Sequence, residues 1–197
     1  MRKVIGGICV FLGALCILSA IGFAGYNRWE DGSAEEISQE LLADVQTIIN
    51  EQQPQPTLSY DALPLPVEMA TVKVDGYDCI GILSIPVLEL ELPVLTDWSY
   101  TKLTKAPCHY YGTYHEKDFV IAAHNYKSHF GRLSQLQPGD IVIFTDVSGI
   151  DHCYEVVLLE TLPKEATREM IASGFALSLY TCTPGGASRV TVRCDYA

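Results

Sequence analysis

Cys182 closes the run LSLYTC and Arg189 opens the run RVTVRC, with TPGGAS between them. Read as strands, the two runs alternate faces residue by residue. Leu177, Leu179 and Thr181 share one face, and Ser178, Tyr180 and Cys182 share the other. Past the turn, Val190, Val192 and Cys194 oppose Arg189, Thr191 and Arg193. The apolar sets are the core faces, so Cys194 points inward while Cys182 stands on the polar side. Gly185 and Gly186 permit a tight turn, and a hairpin closed there sets Cys182 across from Arg189, about 5 Å apart at Cβ. Arg193, four residues on, is displaced by about 13 Å along the strand and is expected to be dispensable. A cation beside a thiol favours the thiolate, its reactive form. The same guanidinium can donate to an oxyanion growing on an acyl carbon.

A thiolate that attacks an amide needs a proton donor for the leaving amine, a role that suits histidine. Of the five histidines, His124 ends the apolar run FVIAAHN, where a sheet would stop and the loop YKSHFG begin. His129, inside that loop, is its rival.

Elements able to position these groups follow from the local patterns. Strands are expected near 71–75, 79–85, 88–94, 119–124, 140–147, 152–161, 175–182 and 189–195, punctuated by Pro86, Gly131, QPGD, SGID and PGG. Short helices are expected near 99–105 and 165–172. Many short strands with little helix between them argue an all-β domain, an antiparallel barrel or a sandwich. Ahead of it, Ile37, Leu41, Leu42, Val45, Ile48 and Ile49 form one stripe of an amphipathic helix with Ser33 as its N-cap. Four prolines in PQPTLSYDALPLP, residues 54–66, exclude helix there and mark a spacer.

The N-terminus carries a different signal. Val4 to Ala24 contains no charged residue, and at about 1.5 Å per residue it reaches roughly 31 Å, a bilayer core. Arg2 and Lys3 precede it and Tyr26 and Trp29 follow, as expected of a signal anchor with its basic end in the cytoplasm. A cleaved secretory signal is the other reading of the same run. The organisation expected is therefore an anchor over residues 1–28, a helix and proline-rich spacer over 29–69, and a β-domain over 70–197 outside the cell. Residues 1–28 carry a charge of +3, which leaves −14 on the remainder of a chain whose net charge is −11. Such an acidic domain repels nucleic acid and anionic lipid heads.

Five of the seven cysteines fall outside the apolar run, an odd number without CxxC spacing, so at least one stays unpaired within the chain. Neither CH at 108–109 nor HC at 152–153 has ligand spacing for zinc, and no run of carboxylates suits calcium. No metal or cofactor is expected.

FVIAAHNYKSHFGRLSQLQPGD followed by LSLYTCTPGGASRVTVRC resembles the sortases, the membrane-anchored cysteine transpeptidases of Gram-positive bacteria. The resemblance covers roughly Gly81 to Asp195. Where sortases commonly have Gly-His-Thr or Gly-His-Asn, this chain has Ala123-His124-Asn125. The resemblance implies a closed barrel of about eight strands with short helices. It implies Cys182 as nucleophile, His124 as general acid and later base, and Arg189 as the group binding substrate and oxyanion. Asn125, Tyr180 and Thr181 become candidate substrate contacts. The substrate implied is a sorting-motif peptide of a secreted protein, and the acceptor an amine of a cell-wall precursor peptide or a pilin lysine.

The stretch TLSYDALPLPVEMA lacks the Asp-Pro-aromatic lid of many pilin-assembling members, which points to a class B-like or class D-like sortase. The C-terminus lacks a sorting signature, so the chain is expected to be the enzyme and not its cargo. Two rival readings are an exported cysteine peptidase that only hydrolyses, and an inactive membrane-tethered sortase-like binding domain. Papain-like peptidases place the cysteine early, at a helix start, whereas here the histidine comes first. An inactive relative would be expected to have lost one of Cys182, His124 and Arg189.

Overall fold

The computed structural model of the protein describes residues 2–51 and 69–197, with side chains from residue 11 onward. The spacer expected at 54–66 lies outside the described residues. The chain divides into two compact units, Met1–Ser33 and Ala34–Ala197. The first is helical and long and apolar enough to cross a membrane, with Phe11, Ile17, Leu18 and Phe23 exposed. A helix start at Ser33 is not observed, because α1 runs from Arg2 to Glu51. The physical reason is the absence of any proline before Pro54. Gly32 alone costs a helix only about 1 kcal/mol.

In the second unit, nine strands follow in order. They are β1 (Val72–Val74), β2 (Tyr77–Ile85), β3 (Leu90–Leu95), β4 (Cys108–Tyr111), β5 (Phe119–Ala122), β6 (Ile141–Asp146), β7 (Asp151–Pro163), β8 (Leu177–Cys182) and β9 (Ser188–Tyr196). Two short helices, α2 (Tyr100–Leu103) and α3 (Thr167–Ile171), interrupt them. The sheet order is β1-β2-β3-β4-β5-β8-β9-β7-β6, and pairing of β2 with β6 joins the ends, closing eight strands into a barrel with β1 outside the ring. A Cβ at Gly81 would collide with the Thr145 carbonyl, so the seam between β2 and β6 requires glycine there.

Two features depart from the expected plan. Strand β4, in PCHYYG, was not foreseen; it has four residues and a register shift between His109 and Tyr111, too little for an alternation signal. The barrel is also not wholly antiparallel, since β3 pairs with β4 and β5 with β8 in parallel. The β5–β8 pairing matters most. Phe119↔Leu177 through Ala122↔Tyr180 run in register, so the C-terminal ends of both strands leave the barrel at one edge.

The barrel interior holds the inward residues of β8 and β9 together with Phe119, Phe130, Phe144 and Tyr154, all fully buried. Burying an aromatic side chain of this size contributes about 2–3 kcal/mol. A second core lies outside the barrel wall. There Leu41, Leu42 and Val45 of the helical stretch after Ala34 pack on Cys79, Ile82, Leu95 and Cys108, with Leu103 of α2 against them. The predicted amphipathic stripe thus faces β2, β3 and β4.

Candidate active site

Cys182 and Arg189 are direct partners across the β8–β9 hairpin, as the alternation requires. Thr183 and Ser188 continue the ladder, and Gly186 N donates to Thr183 O at 2.8 Å, closing the turn. Cys182 is half-buried, whereas Cys194 is fully buried and its thiol is pushed up to about 12 by burial and by Asp195. Cys79 and Cys108 are likewise buried and pushed up to about 11 and about 12, each chiefly by burial. Cys79, Cys108, Cys153, Cys182 and Cys194 are all free thiols.

His124 follows directly from the parallel pairing. Two residues beyond the Ala122↔Tyr180 pair stand His124 and Cys182, on neighbouring strand ends and on one face. Ala123 N donates to Tyr180 O at 3.2 Å, and Thr181 Oγ1 donates to Ala123 O at 2.8 Å, tying the backbone beside the imidazole to that beside the thiol. The loop after His124 doubles back tightly. Phe130 N donates to His124 O at 3.1 Å and Gly131 N to Tyr126 O at 2.8 Å. A Cβ at Gly131 would sit 2.6 Å from Asn125 O and 2.7 Å from Tyr126 O, so only glycine closes this loop. The rings of His124 and Tyr126 lie 4.8 Å apart, and Tyr126 meets His129 at 5.5 Å.

The other histidines stand apart from the thiol. His129 is fully buried. His109 sits between Thr96 O and Gly112 O at 3.0 and 2.8 Å, and His152 Nε2 lies 3.0 Å from Asp146 Oδ2. Among the described residues no cluster of His, Cys, Asp or Glu could hold a metal.

Cys182, His124 and Arg189 line one open cleft on the outside of the barrel. Tyr180 lines it too; burial holds its hydroxyl above the ordinary range, with Tyr110 and Cys182 adding to the rise and Arg189 opposing it. The two remaining contact candidates do not line it. Thr181 is buried on the core face with its hydroxyl committed to Ala123 O, and Asn125 is exposed outside the lining. Arg189 Nη1 donates to Gly186 O at 3.1 Å and Ser188 O at 3.0 Å, leaving Nε and Nη2 uncommitted among the described residues.

The outer face of β8 and β9 is polar but not solvated throughout, which corrects the expectation for Arg193. Arg193 is 1% exposed and Ser178 fully buried. The Arg193 guanidinium donates to Glu160 Oε1 at 2.8 Å, Ser178 Oγ at 2.7 Å and Glu169 O at 2.7 Å. It is the anchor of α3, whose Thr167 and Met170 form one wall of the cleft. A second wall is aromatic and was not legible in the sequence, because Trp98, Tyr100 and Tyr110 become neighbours of Tyr180 only through the strand order.

A closed barrel that gathers a thiol, an imidazole and a guanidinium in one cleft has the layout of a cysteine acyl-transfer enzyme. Residues 83–197 match the family profile "Sortase domain", and the chain belongs to the sortase family. Solved structures agree in fold. Sortase C1 from Streptococcus agalactiae superposes with a TM-score of 0.56 at 23% identity, covering 64% of this chain and 70% of that one. The Clostridium perfringens Sortase D5 transpeptidase gives 0.62 at 18% identity, covering 82% and 99%. The pilus-related Sortase C of Group B Streptococcus gives 0.56 at 20%, covering 83% and 93%. No curated protein matches the sequence.

The protein is accordingly a sortase transpeptidase. It cleaves a C-terminal sorting motif of secreted proteins through a thioacyl-enzyme and passes the acyl group to an amine. Nothing in the fold or the comparisons favours a hydrolase without transfer or an inactive binding domain.

Proposed function

We propose that Cys182 is the nucleophile, His124 the general acid and base, and Arg189 the donor to the oxyanion. The observation that carries this is the convergence of one side chain from each of three adjacent strand ends on one cleft. Cys182 Sγ attacks the carbonyl before the scissile bond, the oxyanion is met by Arg189, and the C–N bond breaks as His124 gives a proton to the leaving amine. An acceptor amine then attacks the thioacyl carbon, returns a proton to His124 and releases the Cys182 thiolate. A well-placed oxyanion donor contributes about 3–4 kcal/mol in other enzymes.

The acceptor is an amine of a cell-wall precursor or of a pilin. Residues 1–28 anchor the enzyme with its N-terminus in the cytoplasm, residues 29–69 link, and residues 70–197 work outside the cell. The long apolar helix supports the anchor, and Arg2 and Lys3 ahead of it support that orientation. The absence of an Asp-Pro-aromatic motif before the barrel supports a class B-like or class D-like member.

Mass spectrometry of the full chain with a panel of sorting-motif peptides tests the chemistry. A covalent adduct on Cys182 that an added amine discharges is expected. Its persistence in Cys182→Ala would overturn the assignment.

A further inference from the structure

We infer that the aromatic wall of the cleft, Trp98, Tyr100 and Tyr110, is the seat of the acceptor, and that it takes a primary amine on a long methylene stem. The inference rests on the roles given above to Cys182 and His124. It begins from proton accounting. The leaving amine takes its proton from His124, and the incoming amine returns one there, so both occupy the His124 side of the thioacyl carbon. Strand order then fixes which wall that is. Across the sheet run β4, β5, β8, β9 and β7, with His124 after β5, Cys182 ending β8, Arg189 in β9 and Lys164 just past β7. Lys164 and Arg189, the lysine and arginine of the cleft among the described residues, therefore lie on the far side of the thiol from the imidazole. The near side is β4 and α2, and it is aromatic.

The rings form a continuous path toward the thiol. Tyr100 meets Trp98 at 5.7 Å, Trp98 meets Tyr110 at 5.7 Å, and Tyr110 meets Tyr180, two residues from Cys182, at 5.3 Å. Its outer end is open, with Trp98 41% and Tyr100 78% exposed. The neighbouring charges cancel, since Lys102 Nζ lies 2.6 Å from Asp97 Oδ1. Among the described residues no acidic side chain lines the cleft, so the electron-rich ring faces are what remains there to attract an ammonium, while their flat surface accepts methylenes. A lysine side chain, or the corresponding side chain of another diamino acid, satisfies both; the terminal amine of a glycine chain has no stem.

The bound ammonium gives one proton to water. The neutral nitrogen attacks the thioacyl carbon, forming C–N while C–S breaks with its electron pair returning to Cys182. The second proton passes to His124.

The test uses the full chain in detergent with the sorting-motif peptide that acylates it. Three acceptors are compared: Nα-acetyl-lysine amide, a diaminopimelate-containing stem tripeptide, and triglycine. The wild type should reach half-maximal transfer at a lower concentration of a long-stem amine than of triglycine, and the better of the two stems identifies the source. Trp98→Ala and Tyr100→Ala should each raise that concentration for long-stem amines about tenfold, with Trp98→Phe restoring most of it. Values within twofold of wild type in both variants would overturn the inference, as would equal use of triglycine by the wild type. Failure to form any adduct on Cys182 in the wild type would instead overturn the catalytic assignment, and this inference with it.

Discussion

Two cross-strand pairs on the outer face of β8 and β9 differ sharply in what covers them. Cys182↔Arg189 and Ser178↔Arg193 stand four residues apart in the same ladder, each a small polar side chain opposite an arginine. At the first pair the face is open, and the guanidinium keeps donors uncommitted. At the second, α3 seals the face and every nitrogen of the guanidinium is engaged. A charge left partly wet can respond to a substrate, whereas one fully bonded in a dry site only holds its neighbours. Whether an arginine on this ladder can meet a substrate is thus set by its cover.

The sharpest way to break the comparison is to remove the thiol. Cys182→Ala should abolish the acyl-enzyme while leaving the unfolding free energy from urea titration within about 0.5 kcal/mol of wild type, as surface changes do. The two arginines should then separate cleanly. Arg189→Ala is expected to lower kcat/KM by about 100-fold or more with little loss of stability. Arg193→Ala should destabilise the fold by about 3 kcal/mol, because it strands Glu160 and the α3 carbonyls, and Arg193→Lys should not recover the forked geometry.

Next in size, Gly131→Ala should cost activity about tenfold or more through the His124 loop, visible as a fall in kcat with the peptide KM little changed. Iodoacetamide mapping should give a smaller difference, with Cys182 labelled first, exposed Cys153 after it and Cys194 last.

The smallest effect expected is on pH dependence, through Asp118. Burial by itself would raise this carboxyl, but Gly174 N, Ser173 Oγ and N, and the charge of Arg193 hold it below its ordinary value. Its folded pKa lies below the unfolded one, so its contribution is present at neutral pH and lost as pH falls through the carboxylate range. Asp118→Asn should flatten that part of the acid limb in urea titrations.

Much of this was legible beforehand, for identifiable reasons. Alternation around Cys182 fixed its face and its partner, because a two-residue period leaves no other choice once Leu177 and Leu179 are buried. His124 could be preferred over His129 because it ends an apolar run; the loop residue turns out to be buried behind it. What escaped is non-local. Nothing near Arg193 in sequence says that five helical residues from 167 to 171 fold over it. The aromatic wall joins positions 98, 100, 110 and 180, which share no motif. The continuity of the N-terminal helix through Ser33 escaped because a capping residue signals a start only when the chain ahead has reason to stop.

The parallel run of β5 beside β8 has a consequence for how such a protein can change over time. The chain leaves this edge just past His124 and returns at Leu177, so the residues between are a detour with fixed ends. One wall of the cleft belongs to that detour, and neither member of the sulfur–imidazole couple does. A lineage can lengthen or rewrite the detour to admit new peptides while those two groups stay neighbours, so discrimination and reactivity are free to evolve separately.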